Sequence, residues 1–214
     1  MIIAVDGPTA SGKGTISKEL AKHFALPFLD TGLLYRAVGW TLQEQGGDAD
    51  NPEDAFAACI FDAALLDNPA LRSEAVGGLA SRVSVHSKVR GALHKRQKDF
   101  AYQPGGAVLD GRDIGTVIAP DADIKLFVTA SPETRAVRRF EEMKRRGELV
   151  NFDDILADIL KRDERDQSRF TAPLKPAEDA DLLDTTDLTI GDAIQQAIAL
   201  VNAKISRRSD KGPA

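Results

Sequence analysis

Residues 1–15 read MIIAVDGPTASGKGT. Ile2 to Val5 are β-branched or small apolar residues, the composition of a buried strand. Gly7, Pro8, Thr9, Ala10, Ser11, Gly12, Lys13, Gly14 and Thr15 follow, and Ile16 to Phe24 continues with helical spacing. Strand, glycine loop and helix in that order form the setting in which a phosphate-binding loop works. Gly7 and Gly12 let the backbone turn where a side chain would clash, so that N–H groups converge on an anion. The helix adds the partial positive charge of its N-terminus. Lys13 supplies a full charge to the β- and γ-phosphates of a nucleotide. A glycine turn with a chance lysine would need none of the flanking apolar pattern.

The usual hydroxyl directly after the lysine is absent: Gly14 stands there and the hydroxyl moves on to Thr15. GKGT is similar to the form found in nucleoside monophosphate kinases rather than in GTPases or motor ATPases. In such a loop Mg²⁺ leans on phosphates and water, and Thr15 touches a phosphate oxygen.

Outward from this loop, short apolar runs alternate with helical patterns. Ala25 to Leu29 ends in Asp30-Thr31-Gly32, Ala107 to Leu109 delivers Asp110, Asp123 to Val128 follows Pro120, and Leu182-Leu183 is a fifth run. Helices are predicted from Leu33 to about Gly46, from an N-cap at Asn51 with Pro52, over about 79–102, after Ser131-Pro132, and over 190–205. The pattern between Ile60 and Gly78 is weak. The alternation predicts a five-stranded parallel sheet with helices on both faces, with ligands beyond the C-terminal strand ends. Three of the five strands hand over to polar elements there, including Asp110-Gly111-Arg112-Asp113.

A length of 214 residues bounds the chain to one domain with insertions or at most two small ones, and 43% hydrophobic with 29% charged residues is ordinary for a soluble globular protein. No apolar run approaches the ~20 residues of a membrane span, and the N-terminus lacks a signal peptide's basic start. Cys59 is alone, so no disulfide framework or cysteine metal site is expected. His23, His86 and His94 read as surface or packing residues, and no protein-built metal site is expected. A net charge of −5 argues against nucleic acid as a partner. A cytoplasmic location and a monomer are expected.

Between Pro132 and Arg169 there are eight arginines. Arg145 and Arg146 read as part of a solvated, salt-bridged helix. For Arg135, Arg139, Arg162 and Arg169 a functional reading is favoured, because the guanidinium fork matches phosphate oxygens. A mobile lid carrying such arginines would exclude water and supply charge during phosphoryl transfer.

GPTASGKGT, LDTGLLYR, VRGALHKRQ, LDGRDIGTVIAPDADIKLFVTAS and RDERDQSR together closely resemble the bacterial cytidylate kinases, from Ile2 to about Ile205. DGRDIGTVI is an element that adenylate, guanylate and shikimate kinases lack. The resemblance implies a P-loop NMP-kinase fold and transfer of the ATP γ-phosphate to CMP or dCMP with Mg²⁺. It implies a single kinase domain over 1–205: a core of about 1–30, 104–131 and 170–205, a short NMP-binding insertion of about 31–103, and a lid of about 132–169. Residues 206–214 would form a flexible tail. Gly7 to Thr15 would cradle ATP, while Lys13, Arg112, Arg135 and Arg139 would act on the transferred phosphate. Thr31, Tyr35 and Arg36 would line the acceptor site, with Arg36 on its phosphate. Ser81, Arg90 and Asp113 would face the cytosine, and Arg112 the acceptor phosphate. Arg162 and Asp166 would reach the sugar, with Arg169 close by. Many members carry a longer insertion with extra strands, which 58–72 is too short to hold.

Three rival readings remain at this level. The acceptor could be UMP, AMP or shikimate, against which the DGRD element with Arg90 and Ser81 stands. The chain could be a nucleotide switch, although its arginines are already in cis. The basic helix at 82–98 could bind nucleic acid, although aromatic platforms there are limited to Phe100 and Tyr102.

Overall fold

The central strand is β1 (Ile2–Asp6), whose five residues are apolar except for the terminal aspartate. In the computed structural model, which describes residues 1–209, β1 pairs in parallel with β3 (Ala107–Gly111) on one side and β4 (Ile124–Thr129) on the other. β2 (Phe28–Asp30) adds outside β3 and β5 (Asp181–Asp184) outside β4, giving the order β2-β3-β1-β4-β5 with every pairing parallel. Ile3, Val5, Ile124 and Leu126 meet Ile16 and Leu20 of α1 (Lys13–His23) and Ala197 and Val201 of α8 (Ile190–Ser209) on one face. On the other, Ala4 and Leu109 pack against Ala101, Ile114 and Ile118. Both faces are covered, as a parallel sheet requires.

A second core joins α2 (Thr31–Glu44), α3 (Pro52–Ala57), α4 (Glu74–Val83) and α5 (Ser87–Ala101) through Leu34, Val38, Leu42, Ala55, Val83, Val89 and Leu93. α4 lies so close to α2 that a Cβ at Gly39 would sit 2.9 Å from the Cβ of Leu79. Asn51 caps α3 through the N–H groups of Glu53 and Asp54, with Pro52 in its first turn. The single helix expected over 79–102 is two helices, broken at Ser84–His86. Val83 and Val89 enter the same core, yet six residues of uninterrupted helix would place them about 120° apart. The break resets the phase. The weak stretch before it forms two 3₁₀ turns, Ala63–Asp67 and Pro69–Arg72, opened by the side chains of Asp62 and Asn68. Residues 58–72 contain no strand.

α6 (Pro132–Arg145) and α7 (Phe152–Ser168) form a hairpin with a core of its own, built on Ala136, Met143, Ile155 and Ile159. Ser131 and Asn151 cap its two helices. The closing helix runs on to Ser209, so the tail expected from Ser206 is helical over 206–209, and 210–214 lie outside the described residues. Among the described residues, no helix is long and apolar enough to cross a membrane.

At the end of β1, the Asp6 carboxylate accepts the N–H groups of Ile114 and Gly115, both at 2.8 Å. These open one turn of π-helix, Ile114–Ile118. Burial pushes the Asp6 carboxyl up to about 6, against the pull of those two N–H groups. A carboxyl raised in the folded state above its ordinary 3.8 favours folding at low pH, and that contribution is lost as pH rises through about 6. The unfolding free energy of the wild type is therefore expected to fall relative to Asp6→Asn by about 3 kcal/mol between pH 3.5 and 6.5, measured by urea titration at successive pH values.

Candidate active site

The C-terminal ends of β1, β2 and β3 open onto one cavity of about 380 Å³. Its floor is the 7–12 loop. Gly7 is there because no side chain fits: a Cβ would lie 2.0 Å from the carbonyl oxygen of Val128. Ala10 and Gly12 adopt left-handed backbone, with φ of 58° and 89°. No side chain caps α1 or α2, whose N-termini face this cavity, or α5, whereas Asn51, Ser73, Ser131 and Asn151 cap α3, α4, α6 and α7. Uncapped N–H groups with the helix dipole behind them suit an anion.

Lys13 donates to the carbonyl of Pro8 at 3.2 Å. Burial pulls its ammonium down to about 8 and Arg112 adds to this, while Asp110 and Asp30 pull the other way. Asp110, aligned with Asp30 on the neighbouring strand, is raised to about 7 by burial and by Asp30, against Lys13 and Arg112. The sequence places both aspartates at strand ends and gives neither a role. Their register on adjacent strands is the signal that places them together.

In the same cavity, Arg90 and Asp113, only 8% and 4% exposed, form a buried ion pair. The Arg90 guanidinium lies 5.7 Å from the centroid of the Tyr35 ring. Burial disfavours its charge, but Tyr35 and Asp113 outweigh that and hold the guanidinium above its ordinary value. Thr31 Oγ1 donates to the Asp110 carbonyl at 2.7 Å. Arg112 Nε donates to Asp166 at 2.8 Å, and Arg169 approaches the same carboxylate at 3.8 Å. Burial would raise Asp166, yet Arg112 and Arg169 hold it below the usual carboxylate range.

Thr9 to Thr15, Thr31, Tyr35, Arg36, Ser81, Arg90, Arg112, Asp113, Arg139, Arg162, Asp166 and Arg169 all line this one cavity. Gly7 and Pro8 stand behind the loop rather than on the wall. Arg135 does not line it. It lies 3% exposed between α6 and α7, with its guanidinium on Asp163 at 3.0 and 2.5 Å and its Nε on the carbonyl of Ala130. Arg36 is spent on the carbonyls of Leu71 and Ser73, at 2.7 and 2.8 Å, and burial with Arg139 and Arg162 nearby lowers it to about 10. Ser81 Oγ accepts from Arg165 at 2.7 Å. Arg139 and Arg162 both reach the carboxylate of Glu74, the first residue of α4, and Arg162 also meets Asp158 at 2.7 Å. Arg145 is exposed beside Glu141, while Arg146 pairs with Glu142 and also borders the cavity.

Three features had no counterpart in the sequence reading. Glu74 is one. Ser84 is another, its carbonyl and hydroxyl accepting from Arg90 and Arg169 at 3.4 Å each. The third is a cavity of about 490 Å³ beside the loop, between α6 and the segment after β5. There Arg138 donates to Thr185 Oγ1 at 2.9 Å and to the carbonyls of Thr185 and Leu188. The topological rule that places ligands beyond strand ends would have pointed to this segment.

A cavity lined by a phosphate loop, a buried carboxylate–guanidinium pair and further arginines can align two phosphorylated molecules. Residues 3–203 match the cytidylate kinase family. A cytidylate kinase of Xanthobacter autotrophicus is 55% identical over 97% of this chain and 100% of its own length. One from a Caulobacter species is 53% identical over 96% of each chain. A gluconokinase of Sinorhizobium meliloti shares the fold, with a TM-score of 0.52 over 99% of this chain and 97% of its own at 14% identity. With the family matched over nearly the whole length, and relatives above half identity end to end, the chain belongs to the cytidylate kinase family.

Proposed function

We propose that this chain transfers the γ-phosphoryl group of ATP to CMP or dCMP, giving CDP or dCDP. The observation that carries the acceptor assignment is the buried Arg90–Asp113 pair, in the same cavity as the phosphate loop. Cytosine presents an amine donor beside the acceptors N3 and O2. A carboxylate that takes the amine and a guanidinium that donates to the ring form the complementary set. Uracil would turn its O4 toward the Asp113 carboxylate and its N3–H toward Arg90, leaving polar groups buried and mismatched.

Gly7 to Thr15 hold the ATP phosphates through loop N–H groups and Lys13, and the donor base occupies the cavity that Arg138 braces. Thr31, Tyr35 and Arg36 line the acceptor, with Arg36 beside its phosphate. Arg112 faces that phosphate while Asp166 keeps its guanidinium in place. Arg162, Asp166 and Arg169 lie toward the sugar, and Ser81 toward the base. Arg139 and Arg162 exchange Glu74 for nucleotide oxygens as the α6–α7 hairpin closes and excludes water. Arg135 acts from beneath, fixing that hairpin to the loop through the Thr9 carbonyl.

Mg²⁺ fits this site in a particular way. Gly14 offers no ligand, and among the described residues no three histidine, cysteine, aspartate or glutamate side chains could hold a metal ion. Asp110 and Asp30 lie close enough to Lys13 to favour its charge, and the ion would rest on ATP phosphates and water and supply charge neutralisation there. The net charge of −5 supports small-molecule rather than nucleic-acid partners, and we place the protein in the cytoplasm as a monomer.

Two measurements test this reading. In a coupled ADP-release assay with ATP and Mg²⁺, CMP and dCMP are expected to turn over, UMP far more slowly, and AMP and shikimate not at all. Lys13→Ala is expected to lower kcat by about 10²–10³-fold. Turnover of AMP or shikimate without CMP would overturn the acceptor assignment. In the second, Asp113→Ala is expected to cost about 3 kcal/mol of stability, because Arg90 is left buried without its carboxylate, and to narrow the CMP-to-UMP ratio. Adding Arg90→Met should recover stability in urea unfolding without recovering the ratio.

A further inference from the structure

We infer that Asp6 is a positioning residue for the acceptor pocket: its carboxylate, at the foot of the phosphate loop, fixes where Arg112 and Asp113 stand. The inference rests on the reading above, in which those two residues face the CMP.

Asp6 is 5% exposed and immediately precedes Gly7. It grips the acceptor segment from both sides. Through its backbone it is aligned with Gly111 in the β1–β3 ladder. Through its side chain it takes the N–H groups of Ile114 and Gly115, one on each carboxylate oxygen. Arg112 and Asp113 are the two residues between these anchor points. Their backbone has little freedom left. Asp113 itself sits at φ −146° and ψ 25°, outside regular structure, with its carbonyl accepting from Val117 and Ile118.

The chemistry of the turn sharpens the point. Asp113 occupies the N-cap position of the 114–118 turn, where an aspartate ordinarily bends its side chain back onto the following N–H groups. Here it makes no such bond. Asp6 has already satisfied the Ile114 and Gly115 donors, so the Asp113 carboxylate is released to pair with Arg90. Without Asp6, those N–H groups are left unpaired in a buried site, and the nearest carboxylate able to reach them is Asp113. It would be drawn off Arg90 and out of the base-reading position. Asp6 thereby ties the strand that carries the donor-phosphate loop to the two side chains that read the acceptor.

The test measures kcat and KM for CMP and for ATP in the full-length enzyme carrying Asp6→Asn or Asp6→Ala, with the CMP-to-UMP ratio of kcat/KM alongside. Val201→Ala, a fully buried α8 position distant from the site, serves as a variant of comparable stability cost. KM for CMP is expected to rise about tenfold in Asp6→Ala, the size of one lost hydrogen bond to a charged group, and less in Asp6→Asn, which keeps one acceptor. KM for ATP should move by no more than about twofold, and Val201→Ala should leave the ratio unchanged. Equal rises in both KM values, or no rise in either for a folded Asp6→Asn, overturn the inference. The same substitution on an Asp113→Ala background should not change the CMP-to-UMP ratio further, and an additional full-sized change there overturns the route through Asp113. If Asp113→Ala alone leaves the ratio intact, the base-reading assignment fails by itself. The Asp6 inference is then decided by the split between the two KM values, through Arg112.

Discussion

Lys13 is a buried ammonium, and the arrangement around it depends on keeping that charge. Burial pulls the ammonium down to about 8, and Arg112 pushes in the same direction. What retains the charge is the pair of carboxylates that the parallel sheet delivers beside it, Asp30 at the end of β2 and Asp110 at the end of β3. Burial raises the Asp110 carboxyl well above its ordinary value, and the neighbouring Asp30 adds to this. A polyphosphate entering this cavity brings the negative charge that relieves Lys13 and Arg112 together. The site is held near electrical balance in a form that an anionic ligand improves.

The same logic runs through the rest of the cavity. The chain is acidic overall, yet the wall is rich in guanidinium groups, and acids on it hold them: Asp166 holds Arg112 and Asp113 holds Arg90, while behind the wall Asp163 holds Arg135 in the same way. Buried ion pairs add little net stability, because desolvation offsets most of the attraction. Their contribution here is geometric. A guanidinium clamped at two or three points presents its remaining N–H groups in one direction only, and arginine rather than lysine provides that fork.

Local features were legible in the sequence because local physics sets them. β1 with its glycine loop, the Asn51 and Pro52 helix start and the Ser131 cap each follow from neighbouring residues, and all stand where the pattern put them. The helix break at 84–86 was not legible, since it answers to a core that Val83 and Val89 share only after folding. Within the site, Lys13, Arg90, Arg112 and Asp113 could be named from motifs. Glu74 and Asp6 could not, because their partners lie up to 109 residues away in the chain. Arg135 and Arg139 show the same limit on one helix. Four residues apart, they lie on the same side, and only the packing of α7 decides that Arg135 goes under Asp163 while Arg139 reaches the cavity.

The α6–α7 hairpin, proposed above to close as a lid, joins the rest of the molecule in a way that suits such a role. The α6–α7 hairpin carries its own apolar core, separate from both cores of the sheet and acceptor helices. Toward α4 and the preceding turn it is fastened by polar contacts: Arg139 and Arg162 on Glu74, Arg165 on Ser81, and Arg146 on the Arg72 carbonyl. Contacts of this kind exchange readily with water and with other anions, whereas breaking an apolar core would cost several kilocalories per mole. The hairpin can therefore change partners while both cores stay packed. Glu74 offers Arg139 and Arg162 what a phosphate offers: oxygen acceptors and negative charge.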